Sequence, residues 1–311
     1  MQELTRSFVV VADDSYRLET ENDPECRFFK RLFQQSSHGP SSQGTYIFTP
    51  GGTLLESNGD SYDAQKMAAT LRRAIRKWNA LSVEERRDIG KSSALRRGET
   101  IGLPGQQYYP KDGLVLRLSY RDLPRGYHYS REERWNEDFA WFTKREARNM
   151  LPQNPAVGQS TVVPGHVVER LVRFHLIDQV RGEGGPFDKE HIKSAKMTTN
   201  VTGVRNRVVT LELRGETDVS AAGHWGIKGK RPTSHQQRGF RTKLLGHAEY
   251  DLRKERFVRF DMVALGVRWG GTAYNMRYDD LAENPIGVSF TLAGRGRMER
   301  LRPKLFWAYP K

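Results

Sequence analysis

The residues best suited to a binding site lie in a long polar stretch between positions 215 and 239. Six side chains there combine both signs of charge with an imidazole and an indole: Asp218, His224, Trp225, Lys228, Lys230 and Arg231. Loops of this length carry binding and catalytic groups more often than the elements that they connect. The sequence favours a mobile polar loop here, and a lid over one end of a sheet, formed by these six residues, is the best candidate for a site.

A second candidate is the basic C-terminal segment, in which cationic and aromatic residues are interleaved. The residues that we expect to contact nucleic acid are Arg295, Arg297, Arg300, Arg302 and Trp307. Such a mixture can hold single-stranded nucleic acid, because the cations contact phosphates and the rings stack on bases. The alternative is a segment that docks its aromatic rings on its own domain and leaves its arginines in water. No recognised nucleic-acid-binding module accompanies the segment.

A third pattern places His247, Glu249 and Asp251 on one face of a predicted strand, since alternate residues of a strand share a face. Three such side chains can ligate a metal ion. Arg259 and Asp261 of the next strand would share that face, however, and a surface of mixed sign is typical of cross-strand ion pairs. We therefore predict no metal site here.

Cys26 is the only cysteine, which excludes an intramolecular disulfide, a CxxC pair and an all-cysteine zinc site. Its place in the first turn of a predicted helix would favour a reactive thiolate, but the neighbouring Phe28 and Phe29 favour a buried thiol. His175, on an apolar helix face, is likewise predicted to be a core histidine. Neither a phosphate-binding glycine loop nor a GxSxG or HExxH motif occurs, so we predict no catalytic residue and no cofactor.

The composition is that of a basic globular protein. Lys and Arg number 51 against 37 Asp and Glu, which gives a formal net charge of +14. Most basic residues alternate with acidic ones, so the charge favours a dispersed basic surface, and the partner, a protein or an anionic ligand, stays open. There is no apolar run of transmembrane length and no signal peptide, which predicts a cytoplasmic protein, or an exported one if the natural start lies upstream.

The elements that must position these residues centre on Phe240 to Val267. This stretch predicts two strands joined by the charged turn Leu252 to Glu255, with Val258, Phe260, Met262 and Ala264 on the buried side of the second strand. Similar alternation predicts further strands near 114–118, 197–201, 208–213 and 286–292. Residues 113–311 are therefore expected to form an α+β domain with a mainly antiparallel sheet of about six strands.

Residues 8–79 predict a strand, a helix, a hairpin and a second helix, followed by a linker over 84–112. The strand is Phe8 to Val11, Asp23-Pro24 opens the first helix, and Thr45 to Leu55 holds the hairpin. This order, over residues 8–79, resembles the C-terminal half of the thioredoxin fold, and it is similar to uncharacterised bacterial proteins that join such a region to a β-rich domain. The CxxC pair of that family is absent, and Gln43-Gly44 stands where its proline is expected.

The resemblance implies an α/β segment over 1–83 that lacks redox activity. Only seven residues precede Phe8, whereas the thioredoxin architecture would place a strand and a helix there, so we expect an incomplete segment with a missing upstream part. The leading hypothesis is a non-catalytic binding or scaffolding protein. The alternatives are a thiol–disulfide or peroxide-linked oxidoreductase whose redox cysteines are missing from this chain, and nucleic-acid binding through the C-terminal segment.

Overall fold

The computed structural model describes most of the 311 residues. The described ranges are 2–13, 15–37, 42–59, 63–88, 108–124, 135–223, 236–272, 274–277 and 280–309. The chain divides into two compact units, Met1–Ile101 and Gly102–Lys311, and the division falls inside the stretch predicted as a linker. Within these ranges, no helix is long and apolar enough to cross a membrane.

The N-terminal unit combines helices with one antiparallel hairpin. Its helices are α1 (Gln2–Thr5), α2 (Ser15–Thr20), α3 (Pro24–Gln34), α4 (Ala64–Ala80) and α5 (Val83–Arg87), and its strands are β1 (Gly44–Phe48) and β2 (Leu54–Gly59). The predicted caps are present, because Asp23 accepts the Cys26 N–H at 2.9 Å and Ser82 forms a capping box with Glu85. A small core of Ile47, Leu55, Leu71 and Ala74 joins the hairpin to α4.

The predicted strand at Phe8 to Val11 is wrong. Val9, Val10 and Val11 are 94%, 73% and 74% exposed and belong to no strand. The Phe8 N–H donates to the Thr5 carbonyl at 3.1 Å, so the chain leaves α1 through a helical turn. A β-branched run needs a neighbouring strand as well as propensity, and the only sheet described in this unit has two strands. The larger sheet implied by the thioredoxin resemblance is therefore absent from the described residues of this unit.

The larger unit is α+β and contains one antiparallel sheet of eight strands. Its strands are β3 (Leu114–Asp122), β4 (Trp135–Phe142), β5 (Ser160–Val162), β6 (Ile192–Arg205), β7 (Val208–Gly223), β8 (Gln236–Asp251), β9 (Arg256–Trp269) and β10 (Asn284–Leu292), in the order β4-β3-β10-β9-β8-β7-β6-β5. The described part of this unit also contains two short helices, α6 (Lys144–Arg148) and α7 (Gly165–Phe174), and 3₁₀ turns at Lys189–His191, Arg297–Arg300 and Phe306–Ala308. The two strands beyond the predicted six are β4 and β5.

The predicted central hairpin is β8 and β9, and its inward residues are correct except at one position. Phe260, Met262 and Ala264 are buried, as the alternation predicted. Val258 is exposed instead, and Phe257 is buried in its place. The cause is a β-bulge, since the pairing skips from Glu249–Arg259 to Tyr250–Phe257 and shifts the face of the residues beyond it.

The predicted loop over 215–239 is shorter than expected. It is not a loop throughout, because β7 continues to Gly223 and β8 begins at Gln236. Thr217, Val219 and Ala221 alternate into the interior, but their small side chains gave a weak pattern.

The hairpin between β6 and β7 turns at Asn206 and Arg207, both with positive φ (50° and 65°).

The core of the larger unit lies between the inner face of the sheet, α7 and the C-terminal segment. α7 packs on β6 and β7 through the predicted stripe Val167, Val168, Leu171 and Val172. Leu305 of the C-terminal segment is fully buried in the same core. The segment is therefore part of the fold of this unit.

Candidate functional site

The predicted loop site is not brought together by the described residues. Asp218 lies in β7, paired with Ser194 on one side and Arg241 on the other. The remaining five members lie outside the described residues: His224, Trp225, Lys228, Lys230 and Arg231. The structure therefore gives no geometry for a lid.

The C-terminal segment docks most of its aromatic side chains on the larger unit. The Phe306 ring lies 5.4 Å from that of Trp141, and Tyr309 is buried against Phe174. Arg300 lies over the Tyr109 ring, Arg295 is exposed, Arg302 is partly buried, and the side chain of Arg297 lies outside the described residues. Trp307, at 62% exposure, is the ring of this segment that stays available for stacking.

The two remaining predicted groups have local structural explanations. His247 stands opposite Asp261 and Glu249 opposite Arg259 on the outward face of β8 and β9, where Arg259 donates to Asp261 at 2.7 Å. Cys26 is buried, as predicted.

A small acidic group adjoins this cysteine. Glu21, Asp23 and Cys26 place one possible ligand atom each within 4.8 Å of one another, a grouping found once among the described residues. Asp23 is already the N-cap of α3. Helix capping therefore accounts for the position of this carboxylate.

A buried arginine–aspartate cluster lies where β3 and β9 end, and no prediction included it. Its members are Asp122, Asp178, Arg181, Arg268, Arg277 and Asp280. Arg277 holds Asp122 at 2.7 and 2.8 Å and Asp178 at 2.6 and 2.9 Å, bidentate in both cases. Arg181 and Arg268 both donate to Asp280.

The arginine–aspartate cluster contains three arginines and three aspartates, so its formal charges balance. Burial by itself would lower the pKa of the Arg277 guanidinium, but Asp178 and Asp122 raise that pKa above its usual range. Burial, and then the neighbouring Arg277, lower the pKa of Arg268. Arginine stays protonated in proteins, so the cluster is an internally neutralised cross-link that leaves no charge for an anionic ligand.

A second buried polar group connects Asp138, His175 and Tyr309. His175 Nδ1 lies 3.5 Å from Asp138 Oδ2, and His175 Nε2 makes a short hydrogen bond with the Tyr309 hydroxyl. Asp138 Oδ1 also accepts the Lys304 backbone N–H at 2.8 Å. Burial, followed by the Asp138 charge, raises the pKa of Tyr309 well above its ordinary value. A buried phenol of this kind is a poor nucleophile, so the group anchors the C-terminal segment.

Among the described residues, an apolar groove in the N-terminal unit has room for a ligand, with a cavity volume of about 780 Å³. We call it the N-terminal groove. Its lining comes from four parts of this unit: Val10, Val11, Ala12 and Asp13; Ser15 and Leu18; Glu25, Phe28, Phe29 and Leu32; and Ser42 to Tyr46 with Phe48 and Pro50.

Aromatic contacts between α3 and β1 form one side of the groove. The Phe28 and Phe48 rings meet edge to face at 5.4 Å, as do those of Phe29 and Tyr46 at 5.2 Å. The turn between β1 and β2 needs glycine at Gly52, because φ is +88° and a Cβ would lie 2.9 Å from the Phe28 ring. This wall is thus built by the glycine turn at Gly52 and two ring contacts between α3 and β1.

The polar groups of the groove interact with one another. The charged side chains among its described lining residues are Asp13 and Glu25. Burial raises the pKa of the Tyr46 hydroxyl, and the Glu19 carboxylate raises it further. Ser42 donates its hydroxyl to Glu19. The Ser42 hydroxyl is therefore held by a carboxylate within this unit.

Comparison with protein-family models, with curated proteins and with solved structures gives no match. The thioredoxin resemblance thus gains no support from relatives. Sequence reasoning missed the N-terminal groove because it assigned Val9 to Val11 to a buried strand. The signal that could have found it was the pair of neighbouring phenylalanines on α3, facing a hairpin too narrow to cover them.

Proposed function

We propose that this chain is a non-catalytic binding protein and that the N-terminal groove is its ligand site. The observation that carries the proposal is an apolar cavity of about 780 Å³ beside Val10 and Val11, whose side chains are 73% and 74% exposed. Ligand pockets span roughly 300–1,000 Å³ and are lined mainly by apolar and aromatic groups. Fully burying an exposed valine side chain is favourable by about 1.5–3 kcal/mol, which a ligand would supply here.

The lining also narrows the class of ligand. Most of the described lining residues are apolar or aromatic, and its two charged side chains, Asp13 and Glu25, each have an interaction partner. We therefore expect an apolar ligand that is held mainly by burial of its surface.

The proposal is tested by titrating the full chain with Nile red, an uncharged dye that fluoresces in apolar sites. Val11→Asp introduces a carboxylate into the lining at an exposed position that contributes little to the core. We expect this change to weaken dye binding at least ~tenfold, or ~1.4 kcal/mol. The matched control is Val157→Asp, at a 67% exposed turn position in the larger unit, which should bind as the parent does. Equal affinity for all three proteins would refute the assignment of the site.

The two competing functions have less support. The oxidoreductase hypothesis requires an accessible thiol, and the single cysteine is buried. Nucleic-acid binding through the C-terminal segment is weakened because Phe306 and Tyr309 are engaged in the fold. The nucleic-acid hypothesis would be supported if the protein is retained on single-stranded nucleic acid, if this retention falls as salt rises, and if it depends on Trp307.

A further inference from the structure

We propose that the larger unit carries a second binding site, a basic surface at one end of its sheet that binds the phosphate backbone of double-stranded nucleic acid. This site goes beyond the function proposed for the N-terminal groove and does not depend on it.

The basic surface lies where two hairpin turns meet α6. The turn between β6 and β7 is adjacent to the turn between β8 and β9, because the Leu252 N–H donates to the Arg207 carbonyl at 2.9 Å. α6 lies beside the second turn, since Lys144 forms an ion pair with Glu255. We call this region the hairpin end of the sheet. Its cations are Lys144, Arg145, Arg148, Arg205, Arg207, Arg253, Lys254 and Arg256.

The hairpin end carries a surplus of positive charge. Its eight cations face three carboxylates, those of Asp112, Asp251 and Glu255, which leaves a surplus of five charges. Glu146 of α6 is buried and bound by Arg170, so it does not offset this surplus. No local run of the sequence signals the surface, because three separate segments contribute its cations.

Five of these cations have unpaired side chains. Lys144 and Lys254 bind carboxylates, and the Arg148 guanidinium donates to the Pro152 carbonyl at 2.9 Å. Within the described part of the chain, the side chains of the other five make neither an ion pair nor a hydrogen bond: Arg145, Arg205, Arg207, Arg253 and Arg256. At the opposite end of the sheet, by contrast, aspartates hold the three arginines of the arginine–aspartate cluster. The hairpin end is therefore where arginine is left to bind an external anion.

Both turns have a well-fixed backbone. Asn206 and Arg207 have positive φ, as a tight two-residue hairpin turn requires. In the second turn, the Asp251 carboxylate accepts the N–H groups of Arg253 and Lys254 at 2.8 and 3.1 Å. A preorganised backbone reduces the conformational entropy that is lost when the arginines bind a partner.

The residue types identify the class of partner. Six of the eight cations are arginine, whose planar guanidinium binds phosphate oxygens through two parallel hydrogen bonds. Residues 205–207 and 252–256 contain no aromatic ring, whereas proteins that bind single strands stack bases on such rings. Their one apolar residue, Leu252, packs against the core, so these turns offer no apolar anchor for a membrane. A duplex, with about one charge per 1.7 Å of its axis, matches these features.

The test measures the fluorescence anisotropy of a short labelled DNA duplex of mixed sequence, titrated with the full chain between about 50 and 200 mM salt. If each of the five unpaired arginines neutralises one phosphate, the logarithm of the affinity should fall with the logarithm of the salt concentration with a slope of about −4.5. Arg205→Gln/Arg207→Gln should bind at least ~tenfold more weakly at about 100 mM salt, with a slope smaller by about 1.8. Arg145→Gln/Arg253→Gln, which changes α6 and the second turn, should behave in the same way.

The matched control is Arg214→Gln/Arg241→Gln. It removes the same charge from exposed positions of the sheet, where the two arginines are already paired with Glu212 and Glu283. This control should bind the duplex within ~twofold of the parent, since its arginines lie outside the hairpin end. All three variants should keep the unfolding temperature and the Nile red binding of the parent, which separates loss of this site from loss of the fold or of the groove.

Three results would overturn the proposal. Equal losses in the control and in the hairpin-end variants would show that net charge alone causes binding. Tighter binding to a single strand of the same length than to the duplex would contradict the class of nucleic acid. Retention of the parent on vesicles that contain phosphatidylserine, without binding to the duplex, would identify a membrane surface as the partner instead.

Discussion

Removal of one carboxylate from the arginine–aspartate cluster should unfold the larger unit at a much lower temperature. Asp122→Ala removes a carboxylate that accepts two hydrogen bonds from Arg277, at 2.7 and 2.8 Å. The Arg181 guanidinium lies 3.5 Å from the same carboxylate. Hydrogen bonds to charged groups contribute about 1.5–3 kcal/mol each, so two of them amount to about 3–6 kcal/mol. The side chains of Asp122, Arg181 and Arg277 are fully buried, so water cannot replace the lost carboxylate.

An independent estimate gives the same magnitude. Breaking a buried ion pair by removal of one partner costs about 3–5 kcal/mol, because the remaining charge stays buried without compensation. The unit spans Gly102–Lys311, and domains of this size lose about 2–4 °C of Tm per kcal/mol. We therefore expect the unfolding temperature of this unit to fall by about 6–20 °C. Calorimetry and near-ultraviolet circular dichroism measure this change.

Two further variants make the reasoning refutable. Asp261→Ala removes an equally short contact with Arg259, but on the exposed face of the sheet, and should leave the transition unchanged. Asp122→Asn retains a side-chain oxygen that can accept from Arg277 and should therefore lose less stability than Asp122→Ala. A normal transition in Asp122→Ala, or a larger loss in Asp122→Asn than in Asp122→Ala, would contradict the role of this carboxylate.

Four other outcomes are expected. Phe260→Ala should cost about 3–5 kcal/mol in urea unfolding, since the ring is buried beside Phe257, and an unchanged midpoint would contradict its inward position. Cys26→Ser should destabilise the N-terminal unit by about 1–3 kcal/mol, and the native thiol should react slowly with a thiol-labelling reagent, so rapid labelling would contradict its burial. Burial raises the pKa of Glu146, but hydrogen bonds from Arg170 and the Thr143 backbone lower it overall. The parent protein should therefore be more stable than Glu146→Gln at neutral pH, and this difference in unfolding free energy should shrink as pH falls below about 4.5. A difference that does not depend on pH would contradict this. Tyr309→Phe should speed proteolytic removal of the C-terminal segment, because the bond to the imidazole is lost, and an unchanged cleavage rate would argue against that anchor.

Local patterns predicted those elements whose cause is local. The capping boxes at Ser82 and Thr143 and the proline start of α3 follow from bonds within three residues, and all three are present. The alternation in β9 was equally easy to predict, because one face of that strand is buried and the other is exposed to solvent. The single error there, at Val258, arose from a bulge that only the pairing with β8 reveals.

The missed elements depend on partners that the sequence does not place. β4 has no alternation, since its last five residues are all buried, and its aromatic residues read as a cluster instead of a strand. Phe8 to Val11 has strand propensity without a neighbour to pair with. The arginine–aspartate cluster joins residues as far apart as Asp122 and Arg277, and neither position carries a local signal. Pairing across the chain is tertiary information, which a single sequence holds only implicitly.

The contrast between the two units explains where function is to be sought. In the larger unit the conspicuous polar residues are buried beside one another, since three arginines face three aspartates and His175 is enclosed by Asp138 and Tyr309. Such groups belong to the interior of the fold. The N-terminal unit has the opposite character, because exposed valines and an apolar cavity remain uncovered by the described residues around them. Burial of such apolar surface by a ligand is favourable, and for this reason we propose the binding site there.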